Sequence, residues 1–402
     1  MHTSIQGQVV VLYQNTFFRN NPTRKILALL TGLCLAVCAG LPLPVYAAPQ
    51  QTALSVSAKS AILVNAADGT ALWAKGADEK RPMASTTKIM TALLTLEAAA
   101  CSDRTVEITQ DMVCVEGSSM GLQAGDRISL SGLAAGMLST SGNDAANAAA
   151  YALAGGPVAF AEKMNRRAKE LGMTHTHFVT PSGLDDDNHY STASDMAKLA
   201  CAAMKNETFA TLVSQKKSKV KFIQPACTQT FTNHNKLLSM YRGCIGVKTG
   251  FTKKAGRCLV SCAERNGVRL IVVTLNAPDD WKDHQILLDY GFTRLQSVVP
   301  DDSSYAVSLP LVGGCTSQVQ VKGEQGSPLI IPKGARLQRC VELPHFLYAP
   351  LESGDPVGRI SYRLNGREIG HTILTAGPAD VKSAPKKNIF QFVAGFFSSL
   401  FQ

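Results

Sequence analysis

The sequence predicts an α/β fold, one antiparallel sheet with a helical cluster, followed by a small all-β domain. Three observations lead there. Strand-like runs stand at both ends of a long first region, near 61–65 and again from 247 to 275, with alanine-rich helical stretches between them. Asn266-Gly267 separates two of the later runs, 258–263 and 270–275, and is a hairpin turn that makes their pairing antiparallel. Beyond Val299 the chain becomes a series of short apolar runs punctuated by Gly and Pro, for example 319–321, 329–331 and 358–364.

Taken in order, residues 55–70 alternate around Ile62 and Leu63 and end in Asp68-Gly69, which predicts two strands joined by a tight turn, with Trp73 on the second. After Pro82 comes a helical stretch, 86–100, with apolar Ile89, Leu93, Leu94 and Leu96 and few helix breakers, so Ser85 is expected at a helix start. Residues 133–153 and 158–171 predict further helices, broken by Gly155-Gly156-Pro157. The basic run 216–221 is expected to be a solvated surface. An α/β domain is therefore expected over 48–298 and a small β domain over 299–378.

The two ends read differently. Arg19, Arg24 and Lys25 precede the apolar run 26–45, and Val45-Tyr46-Ala47 offers a small-residue cleavage site, so 1–47 is expected to be an export signal. The protein is then expected on the extracytoplasmic face of a cell membrane. At the other end, 379–402 predicts a lysine-bearing linker and an amphipathic helix, with Ile389, Phe390, Phe392, Val393, Phe396, Phe397, Leu400 and Phe401 on its apolar face. Its last fifteen residues, about 22 Å of helix, fall short of a bilayer core of about 30 Å, so the helix is expected to lie in the membrane surface.

The 402-residue chain carries a formal net charge of +10, which suits an anionic partner. No basic patch interleaved with aromatics is present, and nucleic acid is not expected. Nine of the eleven cysteines remain after the signal; Cys101 with Cys114 and Cys315 with Cys340 are candidate local pairs. None has the spacing or histidine companions of a zinc site, so no metal is expected.

Three strings carry chemistry: Ser85-Thr86-Thr87-Lys88, Ser141-Gly142-Asn143 and Lys248-Thr249-Gly250. A serine hydroxyl is a poor nucleophile and needs a base, oxyanion donors and a cation for an anionic substrate. Ser-x-x-Lys also occurs at Ser214, Ser218 and Ser383, but only Ser85 precedes a long apolar-periodic helix, which sets Lys88 one turn beneath the hydroxyl. Lys88 acts as a base only if burial beside another cation, Lys248, lowers its pKa. Ser141 is placed to relay a proton and Asn143 to hold a substrate amide. Lys248 and Thr249 suit a terminal carboxylate, Gly250 permits close approach, and the N–H of Phe251 completes an oxyanion hole with that of Ser85.

With these residues the chain resembles the active-site serine penicillin-recognising enzymes, and among them the D-alanyl-D-alanine carboxypeptidases of peptidase family S11. His189-Tyr190-Ser191-Thr192-Ala193, Thr232-Asn233-His234-Asn235 and Gly246-Val247-Lys248-Thr249-Gly250-Phe251-Thr252 add to the likeness. The resemblance implies a β-lactamase/transpeptidase-like fold and no metal or organic cofactor. It also implies attack of Ser85 on a peptidoglycan stem peptide ending in D-Ala-D-Ala, release of D-alanine, and trapping of the same serine by β-lactams. His189 and His234 are expected to be structural. A class A β-lactamase deacylates with a glutamate, but the only glutamates between Ser141 and Lys248 are Glu162, Glu170 and Glu207, all outside the loop-like stretch 174–190. A D,D-endopeptidase and a non-catalytic penicillin sensor are the other readings.

Overall fold

The computed structural model of the protein describes residues 54–377. The expected export signal and the C-terminal amphipathic helix lie outside the described residues. The described chain forms two units, one of Leu54–Val298 with Pro328–Ala335, the other of Val299–Ser327 with residues 336–377.

In the first unit, β1 (Ser60–Asn65) and β2 (Ala71–Lys75) form the opening hairpin. A 3₁₀ turn, Ala84–Thr87, leads into α1 (Lys88–Cys101). Next come β3 (Thr105–Glu107), α2 (Gln110–Val113), β4 (Arg127–Ser129), α3 (Leu130–Ser139) and α4 (Asn143–Ala154). Helices α5 (Pro157–Glu170), α6 (Ala193–Ala203) and α7 (Glu207–Ser214) follow. A second hairpin, β5 (Lys217–Gln224) and β6 (Cys227–Thr232), and a short helix α8 (Leu237–Met240) precede three long strands, β7 (Cys244–Thr252), β8 (Gly256–Arg265) and β9 (Val268–Leu275). Helix α9 (Asp280–Arg294) and β10 (Leu295–Val298) close the run.

The main sheet is antiparallel throughout, ordered β2-β1-β9-β8-β7, so β7 is an edge. Both faces are covered, which is why its strands read as nearly continuous apolar runs. On β9 the residues alternate between two cores. Ile271 and Val273 join Ile89, Leu93, Leu133 and Ala148 on the helical side, while Leu270 and Val272 join Leu63, Leu287 and Leu288 beneath α9. Each such leucine or valine contributes about 1.5–3 kcal/mol by leaving water.

Local signals set the helix ends. Ser129 caps α3 by accepting from the Gly132 N–H at 3.1 Å, Thr192 caps α6 by accepting from the Asp195 N–H at 3.0 Å, and α4 stops at Gly155, whose φ is +80°. The predicted helix over 133–153 is two helices with a break at 140–142.

Two further departures from expectation concern strands. Residues 217–224 form β5, in a smaller sheet ordered β3-β4-β5-β6. The lysines are solvent-exposed, as expected of a solvated surface, but they stand on a strand whose Ser218, Val220 and Phe222 alternate inward. The run near 329–331, expected in the small β domain, belongs to the first unit, where residues 329–332 pair antiparallel with β10.

The second unit is all β. It holds β11 (Ala306–Val312) and β12 (Gln318–Lys322), while β13 (Leu329–Pro332) belongs to the first unit through its pairing with β10. Then come β14 (Gln338–Glu342), β15 (Leu347–Tyr348), β16 (Pro356–Leu364) and β17 (Arg367–Ala376). The sheet order is β14-β16-β17-β12-β11-β15, over a small core of Leu311, Val319 and Ala376. A buried Asp302 carboxylate accepts from Arg339 and from the Tyr362 hydroxyl.

Neither candidate disulfide forms: Cys101 and Cys114 are exposed free thiols, and Cys340 is unbridged. Nearness in sequence does not bring two Cβ atoms to the roughly 3.8 Å a bridge requires.

Candidate active site

Ser85 lies in the 3₁₀ turn, one turn ahead of α1, and Lys88 is the first residue of the α-helix. The sequence placed Ser85 at an α-helical start; the tighter turn serves better, because residues three apart eclipse in a 3₁₀ helix. Thr86 holds the turn, donating from its N–H (3.2 Å) and its hydroxyl (2.6 Å) to the Met83 carbonyl. Ala84 just before it has φ +47°, a left-handed residue at the entry to the nucleophile.

Lys88 is wholly buried and has three polar neighbours: Ser85 Oγ at 2.9 Å, Asn143 Oδ1 at 2.7 Å and the Ser182 carbonyl at 2.7 Å. Two of these only accept. A neutral amine has two N–H bonds to give them, which leaves its lone pair for the Ser85 hydroxyl proton. Burial lowers the Lys88 pKa well below the ordinary lysine value, the Lys248 cation lowers it further, and the Asp144 carboxylate opposes both.

Ser141 sits in the break between α3 and α4 with φ +63°, the second left-handed non-glycine residue at the site. Asn143 is anchored at both ends: its Nδ2 donates to the Glu116 carbonyl at 2.6 Å, and its Oδ1 accepts from Lys88. One Nδ2 hydrogen remains for another acceptor. Asp144, next along, accepts from the N–H groups of Met120, Gly121 and Leu122 at 3.0 Å each and from the Ser119 hydroxyl at 2.5 Å. It pins the 119–122 segment against the start of α4.

Lys248 lies on β7, 2% exposed, with its Nζ donating to Ser141 Oγ at 3.1 Å and to the Thr249 carbonyl at 2.9 Å. Burial pulls its pKa down to about 7. Gly250 lets the strand pass against the nucleophile turn: a Cβ there would stand 3.0 Å from both Ser85 N and Thr86 N. Phe251 follows with its ring 65% exposed. The structure thus links Ser85, Lys88 and Asn143 in one hydrogen-bonded group and Ser141 with Lys248 in another, with Thr249 and Gly250 on the edge strand that carries Lys248.

The loop 179–189 completes the site, and sequence reasoning saw little of it. His189 is buried and expected to be structural, and its ring links two elements. Its Nδ1 accepts from the N–H of Val179 (3.0 Å) and Thr180 (3.3 Å), which assigns the proton to Nε2, facing Thr87 Oγ1 at 2.8 Å. Burial lowers its pKa to about 4, so the ring is neutral. The loop carrying the Ser182 carbonyl is thereby tied to the nucleophile turn. Gly183 seals this contact, since with φ +86° a Cβ would fall 2.0 Å from the Ala84 carbonyl oxygen. His234 is exposed and near enough to Lys248 for that charge to contribute to its lowered pKa, after burial.

The other serine–histidine pair, Ser261 Oγ and His284 Nδ1 at 2.5 Å, is fully buried, and the ring's second nitrogen meets Thr274 Oγ1 at 2.9 Å. It has no carboxylate partner and no access to substrate, so it does not form a catalytic triad.

Residues 46–279 match the family model of peptidase S11, described as D-alanyl-D-alanine carboxypeptidase. The D-alanyl-D-alanine carboxypeptidase DacC of Escherichia coli is 36% identical over 352 residues, 81% of this chain and 85% of its own length. A D-alanyl-D-alanine endopeptidase of the same organism is 33% identical over 254 residues, 59% of this chain and 80% of its own. Among solved structures, penicillin binding protein 5 from Haemophilus influenzae superposes with a TM-score of 0.61 at 28% identity, covering 83% of this chain and 99% of that one. A buried lysine shared between a serine hydroxyl and two acceptors, on a fold matched along most of its length, places the chain in the D-alanyl-D-alanine carboxypeptidase family of serine peptidases, S11.

Proposed function

We propose that this enzyme removes the terminal D-alanine of peptidoglycan stem peptides through an acyl-enzyme on Ser85, and that β-lactams trap the same serine. The observation that carries this reading is the Lys88 amine, buried and shared by Ser85 Oγ, Asn143 Oδ1 and the Ser182 carbonyl. Neutral Lys88 takes the Ser85 proton as Oγ attacks the carbonyl carbon of the penultimate D-alanine. The N–H groups of Ser85 and Phe251 receive the oxyanion. Ser141, bridged to Lys248, passes a proton to the leaving amine, and D-alanine departs. Water then attacks the ester, with Lys88 again the base. Lys248 and Thr249 hold the substrate's terminal carboxylate, and the free Nδ2 hydrogen of Asn143 holds a substrate carbonyl.

The expected setting is the outer face of a bacterial cell membrane, after export, with the segment 379–402 associating with the membrane surface. No helix among the described residues is long and apolar enough to cross a membrane. Deleting 386–402 should release the protein from isolated membranes; an unchanged distribution would rule out the anchor.

The test of the catalytic reading is intact mass after incubation with penicillin, together with D-alanine release from a D-Ala-D-Ala stem peptide by wild type and Ser85→Ala. A stable adduct on Ser85, with release abolished in the variant, is the expected result. An adduct without release points to an endopeptidase or sensor, and rapid turnover of the drug to a lactamase. No adduct would overturn the assignment of Ser85.

A further inference from the structure

The net charge of this protein comes from one segment. Residues 208–263 contain ten of the forty Lys and Arg residues and none of the thirty Asp and Glu, so the rest of the chain is neutral and the segment supplies the whole +10. Part of that charge is spent internally: Lys248 is buried in the site, Lys254 pairs with Asp187 and Arg257 with Asp280. Lys216, Lys217, Lys219, Lys221 and Lys236 are exposed, and none has an ion-pair partner among the described residues.

The fold turns this run into a surface. On β5, Lys217, Lys219 and Lys221 point to solvent while Ser218, Val220 and Phe222 are buried beneath them. Across the hairpin they face Thr232, Thr230 and Thr228, so the ribbon presents a row of ammonium groups beside a row of hydroxyls. Strand spacing sets the cations about 7 Å apart. The outer strand, β6, is an open sheet edge. At the base of the ribbon is a cleft of about 300 Å³ where Lys216, Thr232, Asn233, Asn235, Lys236 and Ser239 stand beside the apolar Leu238 and Met240. Asn235 is 3% exposed and its Nδ2 has no partner. An amide donor left over in a cleft between two lysines suits an anionic oxygen.

The ribbon is continuous with the catalytic site. Asn233 closes its base, donating to the Lys216 carbonyl at 2.9 Å, and the N–H of His234 reaches the Ser139 carbonyl at 3.4 Å, two residues from Ser141. Its lysine face carries Lys217, Lys219, Lys221 and the facing threonines with one exposed apolar residue, Ile223, which is short of the apolar stripe that insertion into a membrane surface requires.

We propose that the β5–β6 ribbon and the cleft at its base form an exosite for the carboxylates of neighbouring stem peptides in polymeric peptidoglycan. The inference rests on the function proposed above. It adds that the enzyme grips the polymer at a second place, beside the stem it cleaves.

The test compares the purified full chain with Lys217→Gln/Lys219→Gln/Lys221→Gln. These side chains face solvent and touch no catalytic group. Co-sedimentation with insoluble peptidoglycan in low-salt buffer should weaken roughly tenfold in the triple variant, about twofold for each exposed charge pair lost. Wild-type binding should fall toward the variant's as salt shortens the screening length below about 10 Å. Penicillin acylation and D-alanine release from a free stem peptide should stay within about twofold of wild type, a readout that also reports folding. Wild-type sedimentation of the variant overturns the exosite. So does an equal or greater loss of binding to phosphatidylglycerol vesicles, which would make the ribbon a lipid-headgroup surface, and so does a loss of free-peptide activity matching the loss of sedimentation. Failure of the wild type to release D-alanine would instead overturn the carboxypeptidase reading.

Discussion

Replacing His189 by alanine should both destabilise the catalytic unit and slow acylation, although the ring contacts no substrate position. Its removal leaves the buried Thr87 hydroxyl without its 2.8 Å partner, and the N–H groups of Val179 and Thr180 without theirs at 3.0 and 3.3 Å. The ring also packs edge-on against Phe178, centroids 5.9 Å apart, and that contact goes too. A buried polar group left unpaired costs about 1–3 kcal/mol, and the longest of the three bonds counts least, so the total is about 3–5 kcal/mol. That is a large part of an ordinary domain stability of about 5–15 kcal/mol.

The same loop supplies the Ser182 carbonyl to Lys88. Loosening that bond should weaken orientation of the base by about 1.5–3 kcal/mol, or roughly 10–100-fold in the acylation rate. Urea unfolding and stopped-flow acylation by penicillin read the two effects separately. Thr87→Val removes one bond of the three and should cost about a third as much stability. If His189→Ala acylated at the wild-type rate, the tie between the 179–189 loop and Lys88 would be wrong, even with stability reduced.

Two further outcomes follow from the buried ionisable groups. The acylation rate should rise with pH as Lys88 loses its proton, and Lys248→Gln, which removes the cation that helps lower the Lys88 pKa, should shift that rise to higher pH; a penicillin acylation profile whose rise stays in place would refute the electrostatic coupling. His284 and His189 are buried neutral, with pKa values lowered to about 3 and about 4 by burial. Above about pH 6.5 the rings are neutral whether folded or unfolded; below it the unfolded chain binds protons that the folded chain refuses, so stability falls with pH down to the folded values. The two together should make the catalytic unit about 4 kcal/mol less stable at pH 5 than at pH 7. Urea unfolding at both pH values checks this, and His284→Gln should flatten the difference by about half; equal stability at the two pH values would refute it.

The three catalytic strings were legible because short spacing is local physics. Ser85 and Lys88 fall three apart, which puts them on one side of any helical turn, and Lys248-Thr249-Gly250 stands in an apolar run that reads as a strand. Legible in the same way were the antiparallel main sheet, the Asn266-Gly267 hairpin and the β character beyond Val299. The solvated lysine surface was legible but the β5–β6 hairpin under it was not, because Ser218, Val220 and Phe222 are too short an apolar alternation to stand out among the lysines. The candidate disulfides failed for a related reason, since sequence proximity carries no information about Cβ geometry.

By itself, then, the sequence determined the kind of chemistry this protein can do, since residue types and local turns fix which groups are available and which neighbours share a face. Only the tertiary structure decided how those groups are tuned. It set Lys88 among Ser85, Asn143 and Ser182, out of water and near Lys248; it tied His189 to Thr87; and it folded an acid-free stretch into a ribbon running from the site. Desolvation, charge proximity and the direction of a hydrogen bond depend on which distant segments pack together, and spacing along the chain does not encode that.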